Sequence, residues 1–270
     1  MKNYFIAYIK NPYFYLSIIL MIIFPFLNVL HNLETALHAT FNIRSFDFYL
    51  SPYTMWIGNE NGDGYGTFLY ILLPILVAIP TVSVYFDYRK SGFHYFSKYK
   101  LSNQGYALLF FRASLLISFF MSFVILMMDF LSLFLIWPDF KFHDYLALDN
   151  AGRGIYTFMF PSLFYYHPFL ATCVNIFLVS LYASLFATLA ALFSVYISSR
   201  FICLLLPFLI QTMLGFLSAI LDISVAWTPA QFLNMSISAS RPSPLLVFFV
   251  PFLLIAIFYF LYRKKILSDG

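Results

Sequence analysis

Residues 168–197 read PFLATCVNIFLVSLYASLFATLAALFSVYI, thirty consecutive positions without one charged side chain. A helix that rises about 1.5 Å per residue needs about 20 mostly apolar residues to cross a hydrocarbon core of about 30 Å. The stretch is therefore long enough for a membrane-spanning helix whose ends tilt or leave the bilayer. It does not alternate in polarity over about ten residues, as the strands of a membrane barrel do.

Five more apolar runs of spanning length flank this one. They are Phe14–His31, Thr67–Phe86, Ala107–Trp137, Phe201–Asp222 and Pro244–Tyr262. The composition agrees, because 62% of the 270 residues are hydrophobic and only 10% are charged, whereas soluble domains carry about 25% charged residues. These values exclude a soluble enzyme, a nucleic-acid-binding protein and a disordered chain. We predict an all-α integral membrane protein with six spans, forming one domain over residues 1–270.

The basic residues predict the orientation of the spans. With both termini inside, the inner side holds Lys2, Lys10, Arg89, Lys90, Lys98, Lys100, Arg112, Arg200, Arg263, Lys264 and Lys265. The outer side keeps Arg44, Lys141, Arg153 and Arg241. Lys and Arg in short loops mark the cytoplasmic side of a membrane protein. The N- and C-termini are therefore predicted to be cytoplasmic.

Three segments outside the spans have helical character. In residues 1–13, Phe5, Ile6 and Ile9 share one helical face, which is typical of an interfacial helix or of a ragged first-span end with Lys and Tyr anchors. The inner segment 86–105 is basic and aromatic, and it is long enough for a short helix between spans two and three. The outer segment 223–243 is too polar to cross and too apolar for a free loop. It predicts an amphipathic or re-entrant helix, with Thr228 as cap and Pro229 as first residue.

Two long outer loops, His31–Gly66 and Pro138–His167, are predicted to be solvated. The first contains the turn-rich stretch GNENGDGYG at Gly58–Gly66, whose Glu60 and Asp63 raise the alternative of a calcium site. Their spacing does not match the D-x-[DN]-x-[DN]-G calcium loop. A solvated loop is therefore the better interpretation.

Sequence motifs for catalysis or nucleotide binding are absent: the chain has no G-x-x-x-x-G-K-[ST], H-E-x-x-H or G-x-S-x-G. We expect no catalytic, metal or cofactor site. Asp129 is the one acid well inside a span, where a charge costs at least about 2.5–3.5 kcal/mol. It either faces an aqueous conduit or is protonated or hydrogen-bonded near a wetted helix end.

Small residues on spans four and five predict close helix packing, within the bundle or in a dimer. The residues that carry this prediction are Ala183, Ala187, Ala191, Gly215 and Ala219.

The order of these elements resembles the permease subunits of export-type (type-2) ABC transporters over essentially the whole chain. Family members often have an acid, then a small residue with Gly, at the inner end of span two, and basic, Ser and Tyr residues as span three begins. Asp87, Ser91 with Gly92, Lys98 or Lys100, Ser102, Tyr106 and Arg112 stand in those places. Two features depart from the pattern, since Asp87 replaces the usual Glu and the Pro common before the Ser is missing.

The resemblance implies a function that no residue of the chain carries alone. A separate cytoplasmic ABC ATPase, using ATP and Mg, would dock on the inner segment and the amino-terminal helix, and a second permease copy or a related permease would complete the transporter. The coupling residues implied are Asp87, Arg89, Lys90, Ser91, Gly92, Phe93, Lys98 and Lys100. The chain itself would bind no cofactor or nucleic acid and would not be an enzyme.

Cargo and location are expectations of the same kind. Spans rich in aromatic and aliphatic residues suit amphipathic or hydrophobic cargo, such as peptides (toxins, bacteriocins or lantibiotics) or lipid-like drugs. The composition, which favours Phe, Tyr and Lys, is typical of bacteria that use such peptides, and predicts a bacterial plasma membrane. The alternatives are an ion-coupled secondary transporter or channel that uses Asp129, and a membrane-embedded enzyme, for which no clustered Glu/His or Ser/Lys is present.

Overall fold

All regular elements of the structure, a computed structural model, are α-helices. The structure describes residues 6, 8–39, 51–59, 64–138, 159–221, 225, 227–235 and 243–268, with only the backbone of 39, 93–104, 106, 107 and 268. Its helices are α1 (Pro12–Ala39), α2 (Pro52–Met55), α3 (Tyr65–Lys90), α4 (Phe93–Ile136), α5 (Pro161–Tyr166), α6 (Pro168–Tyr196), α7 (Arg200–Ile220), α8 (Pro229–Phe232) and α9 (Pro244–Ser268).

Six of these helices are long and apolar enough to span a membrane, which confirms the predicted all-α membrane fold. They are α1, α3, the Leu108–Ile136 part of α4, α6, α7 and α9. The first span continues to Ala39, beyond its predicted end at His31. Hydrogen bonds stabilise this extension, because Asn32 Nδ2 donates to Asn28 O at 2.9 Å and Trp137 Nε1 donates to Asn32 Oδ1 at 3.2 Å.

Helix α6 is the centre of the bundle and packs against α3, α4, α7 and α9. Ala183, Ala187 and Ala191 are completely buried within the chain. The hydroxyls of Ser180 and Ser184 donate to carbonyls one turn back in α6, at 2.8 and 2.7 Å, and so need no partner on another helix. The alanine stripe of span four therefore packs inside one chain.

The other two small residues lie at the edge of the bundle, since Gly215 is partly exposed and Ala219 is exposed.

The inner link between spans two and three differs from the expected short helix. Helix α3 runs to Lys90, residues 91 and 92 form a turn, and α4 then continues without a break from Phe93 to Ile136. Gly92 takes a left-handed conformation at φ 72°, which glycine adopts without strain. No proline lies between Phe93 and Ile136, so nothing separates a coupling helix from the third span.

The outer segment 51–59 is buried, contrary to the prediction of a solvated loop there. Tyr53, Trp56 and Ile57 are at most 1% exposed. Ser51 caps the short helix α2 by a reciprocal capping box with Thr54. Residues 60–63, and with them the acids weighed for calcium, lie outside the described residues.

The buried outer segment joins two others above the outer end of α6. Met235 N donates to Gly58 O at 2.7 Å, and Met159 N donates to Met235 O at 3.0 Å. Asn175 Nδ2 of α6 donates to Leu233 O at 3.1 Å. Helix α8 begins at Pro229 with Thr228 as its N-cap, as the sequence predicts. Most of the remaining parts of 138–167 and 223–243 lie outside the described residues.

Candidate coupling site at the inner face

Residues 8–13, the end of α3, the beginnings of spans three and five, and the end of α9 meet at one end of the bundle. Tyr8 is completely buried there, and a hydrogen bond of 2.7 Å joins its hydroxyl to the Ser114 hydroxyl. The centroids of the Tyr8 and Phe110 rings are 6.2 Å apart. The Phe110 ring stacks on Tyr262 at 6.3 Å. We call this end the inner face, the side predicted to be cytoplasmic. Residues 8–13 are thus docked on the bundle, while Ile9 is half exposed.

Asp87 is the centre of a polar cluster on the inner face. Its Oδ2 accepts from Asn11 Nδ2 at 3.0 Å, and its Oδ1 lies 3.4 Å from Arg200 Nη1. The Arg200 guanidinium also stacks 4.4 Å from the Tyr13 ring, and Tyr13 N donates to Asn11 Oδ1 at 2.9 Å. We call these four residues the Asp87 node. The node ties the start of α1, the end of α3 and the start of α7 together.

An exposed basic turn follows the node directly. Arg89, Lys90, Ser91 and Gly92 are all exposed, and we call residues 89–92 the coupling turn. Ser91 N donates to Asp87 O at 3.0 Å, so the turn is anchored on the node residue itself. Two positive charges also suit the carboxyl end of α3, where the helix dipole is negative.

The other coupling residues expected from the sequence are only partly placed. The backbone of Phe93, Lys98 and Lys100 belongs to α4, and their side chains lie outside the described residues. The backbone places all three on the same continuous helix that begins at the coupling turn. A displacement of the turn would therefore act on span three as well.

Asp129 lies at the opposite, outer side of the bundle and is 2% exposed. Its Oδ1 accepts from Asn28 Nδ2 at 3.1 Å and its Oδ2 accepts from Ile57 N at 3.0 Å. Asn28 Nδ2 also contacts Met55 O at 3.3 Å. The carboxylate thus joins α1, α4 and the buried outer segment, and it lines neither of the two cavities described next.

Two cavities flank α7 beneath the outer helix α8. The first, the apolar cleft, has a volume of about 300 Å³ and lies between α6, α7 and α9. It is lined by Tyr182, Leu185, Phe186, Leu189, Ile210, Leu214, Trp227, Pro229, Phe232, Leu246, Val247, Val250, Leu254 and Phe258. The second, the outer cavity, has a volume of about 380 Å³ and lies between α3, α7 and α8. It is lined by Thr67, Ile71, Gln211, Thr212, Gly215, Phe216, Ala219, Thr228, Ala230 and Gln231.

Several residues of these sites escaped the sequence reasoning, namely Asn11, Tyr13, Arg200 and Gln211. One signal was available for Arg200: Asp87 is the only acid in the predicted links between spans on the inner side, and Arg200 directly precedes the predicted fifth span on that side. The separation of 113 residues between the two hides their contact from any local pattern.

Among the residues that the structure describes, no three His, Cys, Asp or Glu side chains come together as a metal site would require. Searches of protein-family models, of curated proteins and of solved structures find no match to this chain.

Proposed function

We propose that this chain is the transmembrane subunit of an ATP-driven ABC exporter in a bacterial plasma membrane. ATP is hydrolysed by a separate cytoplasmic subunit, and a second copy or a related permease completes the transporter. The cargo is amphipathic or hydrophobic, with apolar peptides as the leading class. The observation that carries the proposal is the Asp87 node with the exposed coupling turn attached to it.

The node transmits a displacement of the coupling turn to several spans. The coupling turn is exposed and basic, which suits an acidic groove on a partner protein. Behind it, Asp87 is bonded to Asn11 before α1 and to Arg200 at the start of α7. A partner that displaces the turn therefore acts on α1, α3, α4 and α7 together. The chain needs such a partner because its sequence contains no phosphate-binding loop.

The walls of the apolar cleft support the choice of cargo. No lining residue of the cleft is charged, and the one hydroxyl, that of Tyr182, donates to Val247 O at 3.0 Å. A sugar or an ion would find almost no polar surface there. The burial of aliphatic and aromatic groups, in contrast, is favourable by about 25 cal/mol for each Å² removed from water. Apolar side chains of a peptide fit this surface.

Co-purification with an ATPase tests the proposal. The full chain, tagged and expressed in a bacterium with a candidate ATPase gene, is expected to retain the ATPase through purification. Reversing the charges of Arg89 and Lys90 to Glu should abolish retention, while Lys264→Glu, an exposed inner-face charge outside the turn, should leave it intact. Solute transport by the purified chain alone in vesicles, or retention unaffected by the double reversal, would refute the proposal.

The ion-coupled alternative predicts that the purified chain alone transports solute in the same vesicles. If Asp129 carried an ion, an imposed proton or sodium gradient would drive uptake without an ATPase, and Asp129→Asn would abolish it.

A further inference from the structure

We infer that the apolar cleft holds one acyl chain of a membrane phospholipid, which enters from the bilayer between α7 and α9. The inference goes beyond the proposed function and does not depend on it. It starts from the arrangement of three spans, because α7 and α9 both pack against α6 but not closely against each other. The gap that this leaves over α6 is the apolar cleft.

The cleft opens toward the surface that the spans present to lipid. Its floor is one face of α6, where Tyr182, Phe186 and Leu189 are at most 8% exposed. Its rim consists of exposed residues of α7 and α9, namely Ile210, Leu214, Leu246 and Val250. Only 17% of the most apolar part of each of these two helices is buried within the chain, so both helices face the bilayer. The cleft is therefore continuous with the interface between protein and lipid.

The dimensions of the cleft fit a single aliphatic chain. Four of its lining residues follow one another along α9 at a spacing of four, namely Leu246, Val250, Leu254 and Phe258. At 1.5 Å per residue the cleft thus runs along the helix for about 18 Å. This length is close to that of one leaflet, half of a hydrocarbon core of about 30 Å. A volume of about 300 Å³ over this length makes a slot that is much narrower than a helix with its side chains, which measures about 10–12 Å across. An extended chain fits into the slot, whereas a helix of a second copy does not.

The chemistry of the lining favours an acyl chain over a peptide backbone. Pro251 of α9 has no N–H to donate to Val247 O, and the Tyr182 hydroxyl donates to that carbonyl at 3.0 Å instead. No lining residue is charged, and the cleft presents almost no polar surface. The N–H and C=O groups of an extended peptide would therefore stay unpaired along the cleft, at a cost that methylene groups do not have.

The outer end of the cleft marks the position of the lipid headgroup. Trp227 lines this end and is half exposed, and Trp is enriched at membrane–water interfaces. A lipid whose headgroup lies beside Trp227 points its chain inward along α9, in the direction that acyl chains have in a bilayer. Because no charged residue lines the cleft, the chain and not the headgroup is recognised. In the proposed exporter, apolar side chains of the cargo would displace this lipid chain.

Photolabelling from the lipid tests the inference on the full chain in nanodiscs that contain no ATPase. The probe is a phosphatidylcholine with a diazirine in the middle of one acyl chain, and mass spectrometry identifies the labelled residues. We expect adducts on the buried floor, at Leu185, Phe186 and Leu189, and the same yield from a phosphatidylglycerol with the same chain. Adducts confined to the exposed faces of the spans, as when a second copy or a peptide covers the cleft, would overturn the inference. A yield that depends strongly on the headgroup would overturn it as well.

A matched pair of substitutions locates the site. Val250→Phe places a ring in the cleft from its exposed rim, and it should lower labelling of the floor about tenfold because the chain no longer fits without overpacking. Val124→Phe makes the same change at an exposed position of α4 that lines neither cavity, and it should leave labelling of the floor unchanged. Equal labelling in the two variants would overturn the inference. ATPase retention through the coupling turn is a separate measurement, so this failure is distinguishable from failure of the proposed function.

Discussion

Replacement of Asp129 by Ala tests how the buried outer segment is held. In the structure the carboxylate accepts one hydrogen bond from Asn28 Nδ2 at 3.1 Å and one from the backbone nitrogen of Ile57 at 3.0 Å. The second bond joins span three directly to the outer segment, beside the ring contacts of Tyr53 and Trp56 with Phe130. Removing the carboxylate leaves Ile57 N without an acceptor in a place that water does not reach.

The size of the effect follows from these two bonds. Each stranded buried donor costs about 1–3 kcal/mol, and Asn28 keeps a second acceptor in Met55 O at 3.3 Å. The removal of a buried charge offsets part of the loss. We therefore expect Asp129→Ala to destabilise the protein by about 1–2 kcal/mol, which lowers the Tm by roughly 2–8 °C for a chain near this size. Asp129→Asn keeps the shape and one acceptor, so about half of that loss is expected.

Thermal denaturation in detergent and thiol labelling measure the effect together. A cysteine replaces the buried Met55, and Cys173 and Cys203 are changed to Ser so that the new thiol is the only one. Asp129→Ala should increase labelling of this thiol by a membrane-impermeant reagent. Ser132→Ala is the matched control, because the Ser132 hydroxyl donates only to Asp129 O in its own helix, at 2.7 Å. Unchanged Tm and labelling in Asp129→Ala would refute the reasoning.

Three further predictions concern close contacts elsewhere. Gly66→Ala should destabilise the protein by at least about 2 kcal/mol in thermal denaturation, because the added Cβ would overlap the carbonyl oxygen of Ile57; an unchanged Tm would contradict this packing. Pro74→Ala restores the backbone N–H that bonds the Tyr70 carbonyl in α3, a carbonyl that Gln211 Nε2 otherwise satisfies at 3.1 Å. Gln211→Leu should therefore lower the free energy of unfolding by about 1 kcal/mol less in the Pro74→Ala background than in the unaltered chain; additive effects would show that the two residues are independent. Asp87→Ala should change the Tm by no more than about 2 °C because the Asp87 side chain is about half exposed, yet it should lower cargo-dependent ATP hydrolysis of the complex; equal hydrolysis would contradict the role of the node.

The spans could be predicted from the sequence because the bilayer imposes a length and a polarity on them that any sufficiently long apolar run satisfies. The bounds of α6 and α7 accordingly differ from the predicted ones by at most two residues. Helix α4 shows the limit of this reasoning. A change from apolar to basic residues near 105 marks the membrane surface, but it does not break a helix, and only the absence of proline from Phe93 to Ile136 foretold its continuity.

The polar contacts could not be predicted because each depends on residues far apart in the chain. Asp87 meets Asn11 across 76 residues, and Gln211 meets Tyr70 across 141. The burial of the outer segment was mispredicted for a different reason. The glycines and acids that follow residue 58 dominated its composition, although Trp56 and its neighbours are as apolar as a protein core.

The uneven burial of the spans indicates which of them can respond to a force at the coupling turn. Helix α6 is buried along nearly its whole length, so moving it would disrupt contacts with four neighbours. Helix α7 instead buries only Cys203, Pro207 and Gln211, a single stripe at a spacing of four residues. Its Arg200 end is bonded to the node, Pro207 removes one internal hydrogen bond from its middle, and both cavities lie along its outer half. A push on the coupling turn would therefore tilt α7 against a fixed α6, and that tilt would change the apolar cleft and the outer cavity at the same time.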